Sequence, residues 1–101
     1  MTFDISKITI PSQSGIYIMK DKTGKIIYIG KAKNLRNRVK SYFIKNQNYK
    51  TQKLVEKISD IEFVLTDNEG EAFLLEANMI ERYRPIYNIE LKDQQRYTYL
   101  R

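Results

Sequence analysis

The chain has 101 residues, of which 42% are hydrophobic and 30% charged, with a net charge of +6. This composition suits one globular domain with a modest core and points to an anionic partner. It contains neither cysteine nor histidine, which excludes disulfides, thiolate and imidazole metal sites, and Ser-His-Asp or Cys-His catalysis.

Acid–base chemistry therefore falls to Tyr, Lys or carboxylates. Any metal takes oxygen ligands, which favours Mg²⁺ or Mn²⁺. No apolar run approaches the roughly 20 residues that span a bilayer, and the start lacks the basic segment and apolar core of a signal peptide. The expectation is a cytoplasmic domain with no membrane partner.

Residues 1–14 form a lead-in, with Ile5, Ile8 and Ile10 placed to cover a core edge and Pro11 stopping any helix. From Gly15 to Gly30, two Ile- and Tyr-rich runs flank Asp21-Lys22-Thr23-Gly24, the pattern of a β-hairpin. A symmetric turn pairs Lys20 with Lys25, and so Tyr17 with Tyr28 and Gly15 with Gly30. The two tyrosines then share a face. A bulge at Gly24 would shift the register by one and separate them. Tyrosines on a hairpin commonly serve packing, but glycine inside or beside a strand marks close approach of another group.

Asn34 is an N-cap for a helix in which Leu35, Val39 and Phe43 make one face and Arg38 and Tyr42 an adjacent stripe. Arg36 and Lys40 point to water. Residues 45–49 read as loop. A second helix is expected from Thr51 to Ile58, with Leu54, Val55 and Ile58 inward and Lys50, Lys53 and Lys57 as a basic stripe. Ile61 to Thr66 reads as a third strand. Asn68 with Glu71 resembles a capping box that opens a long helix to Tyr83, ended by Arg84-Pro85. Tyr87-Asn88-Ile89 reads as a short strand or turn. The fold class is therefore α+β: a small three-stranded mixed or antiparallel sheet, built on a hairpin and flanked by helices. Residues 11–90 form the core of a single domain, and 91–101 begin a linker.

Charge is uneven along this plan. Residues 1–60 carry 13 basic and 4 acidic side chains, and Lys31 to Lys57 holds 9 basic residues against Glu56 alone. This favours a polyanion-binding face over a merely solvated surface. Glu76 is out of place in the long helix. At roughly 100° per residue it falls within the apolar arc of Phe73, Ala77, Ile80, Tyr83, Ala72 and Met79. A carboxylate there is costly unless paired or metal-bound. The pairing alternatives are Arg38, Lys31 and Arg84. The functional alternative is a metal ligand or base in a partly closed pocket.

Gly15-Ile16-Tyr17 and Tyr28-Ile29-Gly30 match the halves of the motif that names the GIY-YIG nuclease superfamily. The run from Gly30 to Val39, then Ser41-Tyr42-Phe43, Glu71 to Asn78, and Arg84 to Asn88, resembles the N-terminal endonuclease domain of the UvrC family of excinuclease subunits. The resemblance extends from about Pro11 to the C-terminus. It implies a phosphodiester-cleaving endonuclease that makes the 3′-side incision of nucleotide excision repair on damaged double-stranded DNA. It also implies one divalent metal, loading through UvrB, and a site lined by Tyr17, Tyr28, Lys31, Arg38, Tyr42, Glu76 and Asn88.

In that reading Glu76 holds Mg²⁺ or Mn²⁺, and Tyr28 takes a proton from water with cationic help from Lys31 or the metal-bound water. Arg38 braces the phosphorane charge, Tyr17 and Tyr42 position water or phosphate, and Asn88 orients them. Lys33, Arg36, Lys40, Lys50 and Lys53 neutralise flanking DNA phosphates. The chain is much shorter than a whole protein of that family, so a UvrB-binding segment, a second nuclease domain and a helix-hairpin-helix module are expected outside it. A non-catalytic binding module on the same scaffold and a stand-alone repair nuclease are the alternatives.

Overall fold

A computed structural model of the chain describes residues 3–44 and 48–89. Strands Gly15–Lys20 (β1), Ile26–Ala32 (β2) and Asp60–Leu65 (β3) form one sheet in the order β2-β1-β3. Both pairings are antiparallel. β1 is central because its residues from Gly15 to Met19 are all buried, as a strand covered on both faces requires.

The hairpin register differs from the symmetric expectation. Asp21 N–H donates to the Lys25 carbonyl, and Gly24 adopts φ +86°, the left-handed residue of a turn with a bulge. The Asp21 carboxylate accepts from the backbone N–H of Thr23 and of Lys25, which locks the turn. Lys20 consequently pairs with Ile26. A second irregularity follows at once, and Met19 pairs with Tyr28. Ile27 is the extra residue, so it and its neighbour Tyr28 both pack on the same cluster. Two single-residue shifts restore parity. Tyr17 faces Gly30 and Gly15 faces Ala32, so the expected Tyr17–Tyr28 and Gly15–Gly30 pairs do not form. The two tyrosines still share one face.

Helices Leu35–Ser41 (α1) and Tyr49–Lys57 (α2) cover that face, packing Leu35, Val39 and Leu54 against Tyr17, Met19 and Ile27. Ile10 joins this core and Ile5 and Ile8 edge it, as expected. Asn34 caps α1 and Asn48 caps α2, which therefore begins two residues before the expected Thr51. Phe43 lies beyond α1 and is only half-buried.

Helix Glu69–Tyr83 (α3) packs on the opposite face, with Ala72 buried among Ile16, Ile18 and Ile29 and with Leu75, Met79 and Ile80 around it. Asn68 accepts from Glu71 N–H, while the Glu71 carboxylate accepts from Asp67 N–H, one residue earlier than a capping box places it. Arg84 at φ 47° closes the helix, its N–H donating to the Ile80 carbonyl. The inward face of α3 is rotated from the expected arc: Leu75 turns in, while Phe73, Ala77 and Tyr83 are exposed. Residues 86–89 form a turn of helix rather than a strand. The expected linker, 91–101, lies outside the described residues. Among the described residues no helix is long and apolar enough to cross a membrane.

Candidate active site

Parity of the hairpin sets the site. Tyr17 on β1 lies over the backbone of Gly30 on β2, where a β-carbon would collide with the Tyr17 Cζ and Oη atoms. Gly30 thus gives the ring its floor. At Gly15 a β-carbon would strike the Val64 carbonyl and Leu35, so this glycine lets β3 and α1 approach β1. The two glycines of the motif act at different contacts.

α1 and its C-cap residue bring Arg38 and Tyr42 to the Tyr17 ring. The Tyr17 and Tyr42 hydroxyls share a 2.7 Å hydrogen bond. Arg38 Nε donates to Tyr17 Oη and Nη2 to Tyr42 Oη, both at 3.3 Å. The Arg38 guanidinium also lies 5.1 Å from the Tyr42 ring centre, within cation–π range. Tyr28 completes the cluster, its ring centre 6.1 Å from that of Tyr17 and 6.2 Å from that of Tyr42. The spacing of Arg38 and Tyr42 four residues apart, visible in the sequence, becomes one continuous network.

Burial pushes the Tyr17, Tyr28 and Tyr42 phenols above their ordinary value, and each is raised further by a neighbouring phenol. Arg38 opposes the shift in all three. Burial works against the Arg38 cation itself, but the facing tyrosines outweigh it and hold the guanidinium above its usual range. The cation that acts on Tyr28 is therefore Arg38. Lys31, expected to help, sits elsewhere: its Nζ is 5.9 Å from the Phe73 ring centre on the α3 side of β2.

Glu76 is half-buried on α3 and close enough to raise the Tyr28 phenol through its charge. The site thus wraps around the edge strand β2, with the tyrosines on one side and α3 on the other. Asn88 anchors that edge. Its Oδ1 accepts from Ile29 N–H and its Nδ2 donates to the Ile29 carbonyl, each at 2.8 Å. Asn88 is 1% exposed. It stands in for a fourth strand at the residue between Tyr28 and Gly30, and so holds β2 rather than touching the Tyr17 or Tyr42 hydroxyls. The sequence carried no signal for this bond, because it joins residues 59 apart.

The proposed DNA-contacting cations divide. Lys33 is exposed just beyond β2, Lys50 is half-buried on α2, and exposed Lys53 lies against the Tyr49 ring. Arg36 and Lys40 turn the other way, lining a cavity of about 310 Å³ with Ile5, Ile8 and Ile10, and Arg36 Nε donates to the Ile10 carbonyl. Arg38 is thus the α1 cation that enters the tyrosine cluster.

Comparison with known proteins gives this geometry relatives. The family model of the UvrC-like GIY-YIG domain matches residues 13–89. The UvrABC system protein C of Bdellovibrio bacteriovorus is 57% identical over 93 residues, 90% of this chain and 15% of that protein. Its Fusobacterium nucleatum counterpart is 54% identical over 99 residues, 97% of this chain and 17% of that protein. The chain thus spans about a sixth of the length of these relatives.

The crystal structure of the GIY-YIG N-terminal endonuclease domain of UvrC from Thermotoga maritima, bound to its catalytic magnesium, aligns with a TM-score of 0.71 at 47% identity. The match covers 77% of this chain and 85% of that one. Point variants of the same domain, three with a tyrosine changed to phenylalanine and one with an asparagine changed to alanine, match as well and also carry the divalent cation. With the motif glycines, the tyrosine–arginine cluster and the α3 carboxylate in one place, the chain belongs to the UvrC-like GIY-YIG domain family.

Proposed function

We propose that this chain is a divalent-metal-dependent DNA endonuclease domain that hydrolyses a phosphodiester bond, making the 3′-side incision of nucleotide excision repair. The carrying observation is the hydrogen-bonded set of Tyr17, Tyr42 and Arg38, with Tyr28 and Glu76 beside it. The three tyrosines and one asparagine varied in the Thermotoga maritima domain are the residue types that gather here.

Among the described residues no group of three Asp, Glu, His or Cys side chains gathers as a cage. The half-buried Glu76 carboxylate is the oxygen donor that would hold one Mg²⁺ or Mn²⁺, since Mg²⁺ keeps several waters and takes phosphate oxygens. An ion there would polarise the scissile phosphate and steady the leaving oxygen, and would offset the Glu76 charge, which adds to the burial that pushes the Tyr28 phenol up.

The chain's own residues divide the remaining work. In the chain by itself burial keeps the Tyr28 phenol protonated. To act as base it must first release that proton to solvent, which Arg38 and a bound cation would favour, and the phenolate can then accept the proton of the attacking water. A guanidinium has five N–H donors. Its bonds to Tyr17 and Tyr42 fix its plane and leave donors for the phosphate oxygens. Asn88 keeps β2 straight under Tyr28. Lys33, Lys50 and Lys53 hold flanking phosphates, with Arg36 and Lys40 further away. UvrB is the loading partner, the cytoplasm the setting, and residues 11–90 the working domain.

Nicking of supercoiled plasmid tests the reading. Activity should require Mg²⁺ or Mn²⁺ and vanish in Glu76→Ala with the fold intact. Tyr28→Phe should lose roughly 10²–10⁴ in rate. Arg38→Ala should lose on the order of 10²–10³, only partly recovered by Arg38→Lys. Salt-dependent DNA binding without metal-dependent nicking would make the chain a binding module instead.

A further inference from the structure

We propose that the Phe73 ring is a substrate contact that stacks on an unpaired nucleobase beside the scissile phosphate, with Lys31 on that nucleotide's phosphate. The inference rests on the nuclease reading above. Phe73 was expected in the core, yet it is 56% exposed and takes no part in either hydrophobic cluster. It lies one helical turn before Glu76, and residues at that spacing have β-carbons roughly 5–6 Å apart. The Lys31 ammonium stands 5.9 Å from its ring centre.

An exposed aromatic ring with a cation against it, one turn from a metal-binding carboxylate, has the parts of a nucleotide platform. The ring supplies a face for a base and the ammonium supplies charge for its phosphate. The base must be unpaired, because a base inside a duplex is already covered on both faces. A protein-docking stripe fits less well. At helical spacing the neighbours of Phe73 are Glu69, Gly70, Glu76 and Ala77. Leu74 is also exposed, but as the next residue it does not share the Phe73 face, so no large apolar side chain continues a stripe along that face.

Equilibrium binding in EDTA to two probes tests the proposal: a gapped duplex with 2-aminopurine in the gap, and the same duplex fully paired. The native chain should quench the gapped probe's fluorescence and bind it more tightly than the paired probe. Phe73→Leu keeps apolar bulk without a π-face. It should lose the quench and on the order of tenfold in affinity for the gapped probe, with paired-duplex binding and the melting midpoint unchanged. Phe73→Trp should keep both signals. Native quench and affinity in Phe73→Leu would overturn the proposal and leave the ring to a protein partner. Equal losses on both probes would overturn it too. Failure of the native chain to bind either probe in a salt-dependent way would remove the nuclease reading itself.

Discussion

Replacing Gly30 with alanine tests the claim that the second motif glycine exists to seat Tyr17. The new β-carbon would meet Tyr17 Cζ and Oη, with Cε1 at 2.8 Å. The ring has little room to retreat, because Tyr17 is 1% exposed and its hydroxyl is tied to Tyr42 and Arg38. Overpacking of this kind costs roughly 1–3 kcal/mol. Alanine recovers roughly 0.5–1 kcal/mol of the backbone entropy that glycine loses in a strand. The net expectation is a destabilisation of about 1–2 kcal/mol, read from urea unfolding, which small single domains follow in one step.

The cost should be lower in the Tyr17→Phe background, where the hydroxyl contact is gone but the Cζ contact remains. Function should suffer more than stability. A displacement of about 1 Å in a positioned group can cost roughly 10²-fold in rate, so plasmid nicking by Gly30→Ala should fall steeply. A variant within about 0.5 kcal/mol of the native chain, as for ordinary surface changes, with nicking intact, would refute the reasoning.

Asn88→Ala strands the Ile29 N–H and carbonyl. It should cost on the order of 3 kcal/mol and speed hydrogen exchange at the Ile29 amide; unchanged exchange there would mean the amide is not the strand's partner. Burial raises the Tyr17, Tyr28 and Tyr42 phenols in the folded chain, so the folded state holds protons that the unfolded state releases above about pH 10. Stability should therefore be full below that pH and fall above it, by up to roughly 1.4 kcal/mol per pH unit for each phenol. In the metal- and DNA-free chain, ultraviolet titration should find Tyr17, Tyr28 and Tyr42 ionising only as the fold is lost, and their ionisation near about pH 10 in a folded chain would contradict this. Reversing Lys50 and Lys53 to Glu should flatten the log-affinity against log-salt slope by about one unit per lost contact. The same change at Arg36 and Lys40, which face the N-terminal segment, should do less, and the opposite ranking would put DNA on that other side of α1.

Local pattern carried much of this protein. Alternating Ile and Tyr around Gly24 specified a hairpin, and Asn34 and Asn68 opened helices where their side chains could cap the first turn. The four-residue spacing of Arg38 and Tyr42 put both on one side of α1. Each of these depends on residues within a few positions of one another, which is the range over which backbone propensity and capping act.

Register, rotation and partnership were decided by packing at long range. Tyr17 and Tyr28 share a face only because two bulges cancel, and no residue count distinguishes one slip from two. α3 turned Phe73 outward because its burial is set by the Ile16, Ile18 and Ile29 face it meets, which selects Ala72 and Leu75 over the equally apolar Phe73. Local pattern makes Asn88 a strand or turn residue and the family resemblance puts it at the site, but its partner is decided by β2 being an edge strand, whose outward Ile29 N–H and carbonyl must find partners once buried from water.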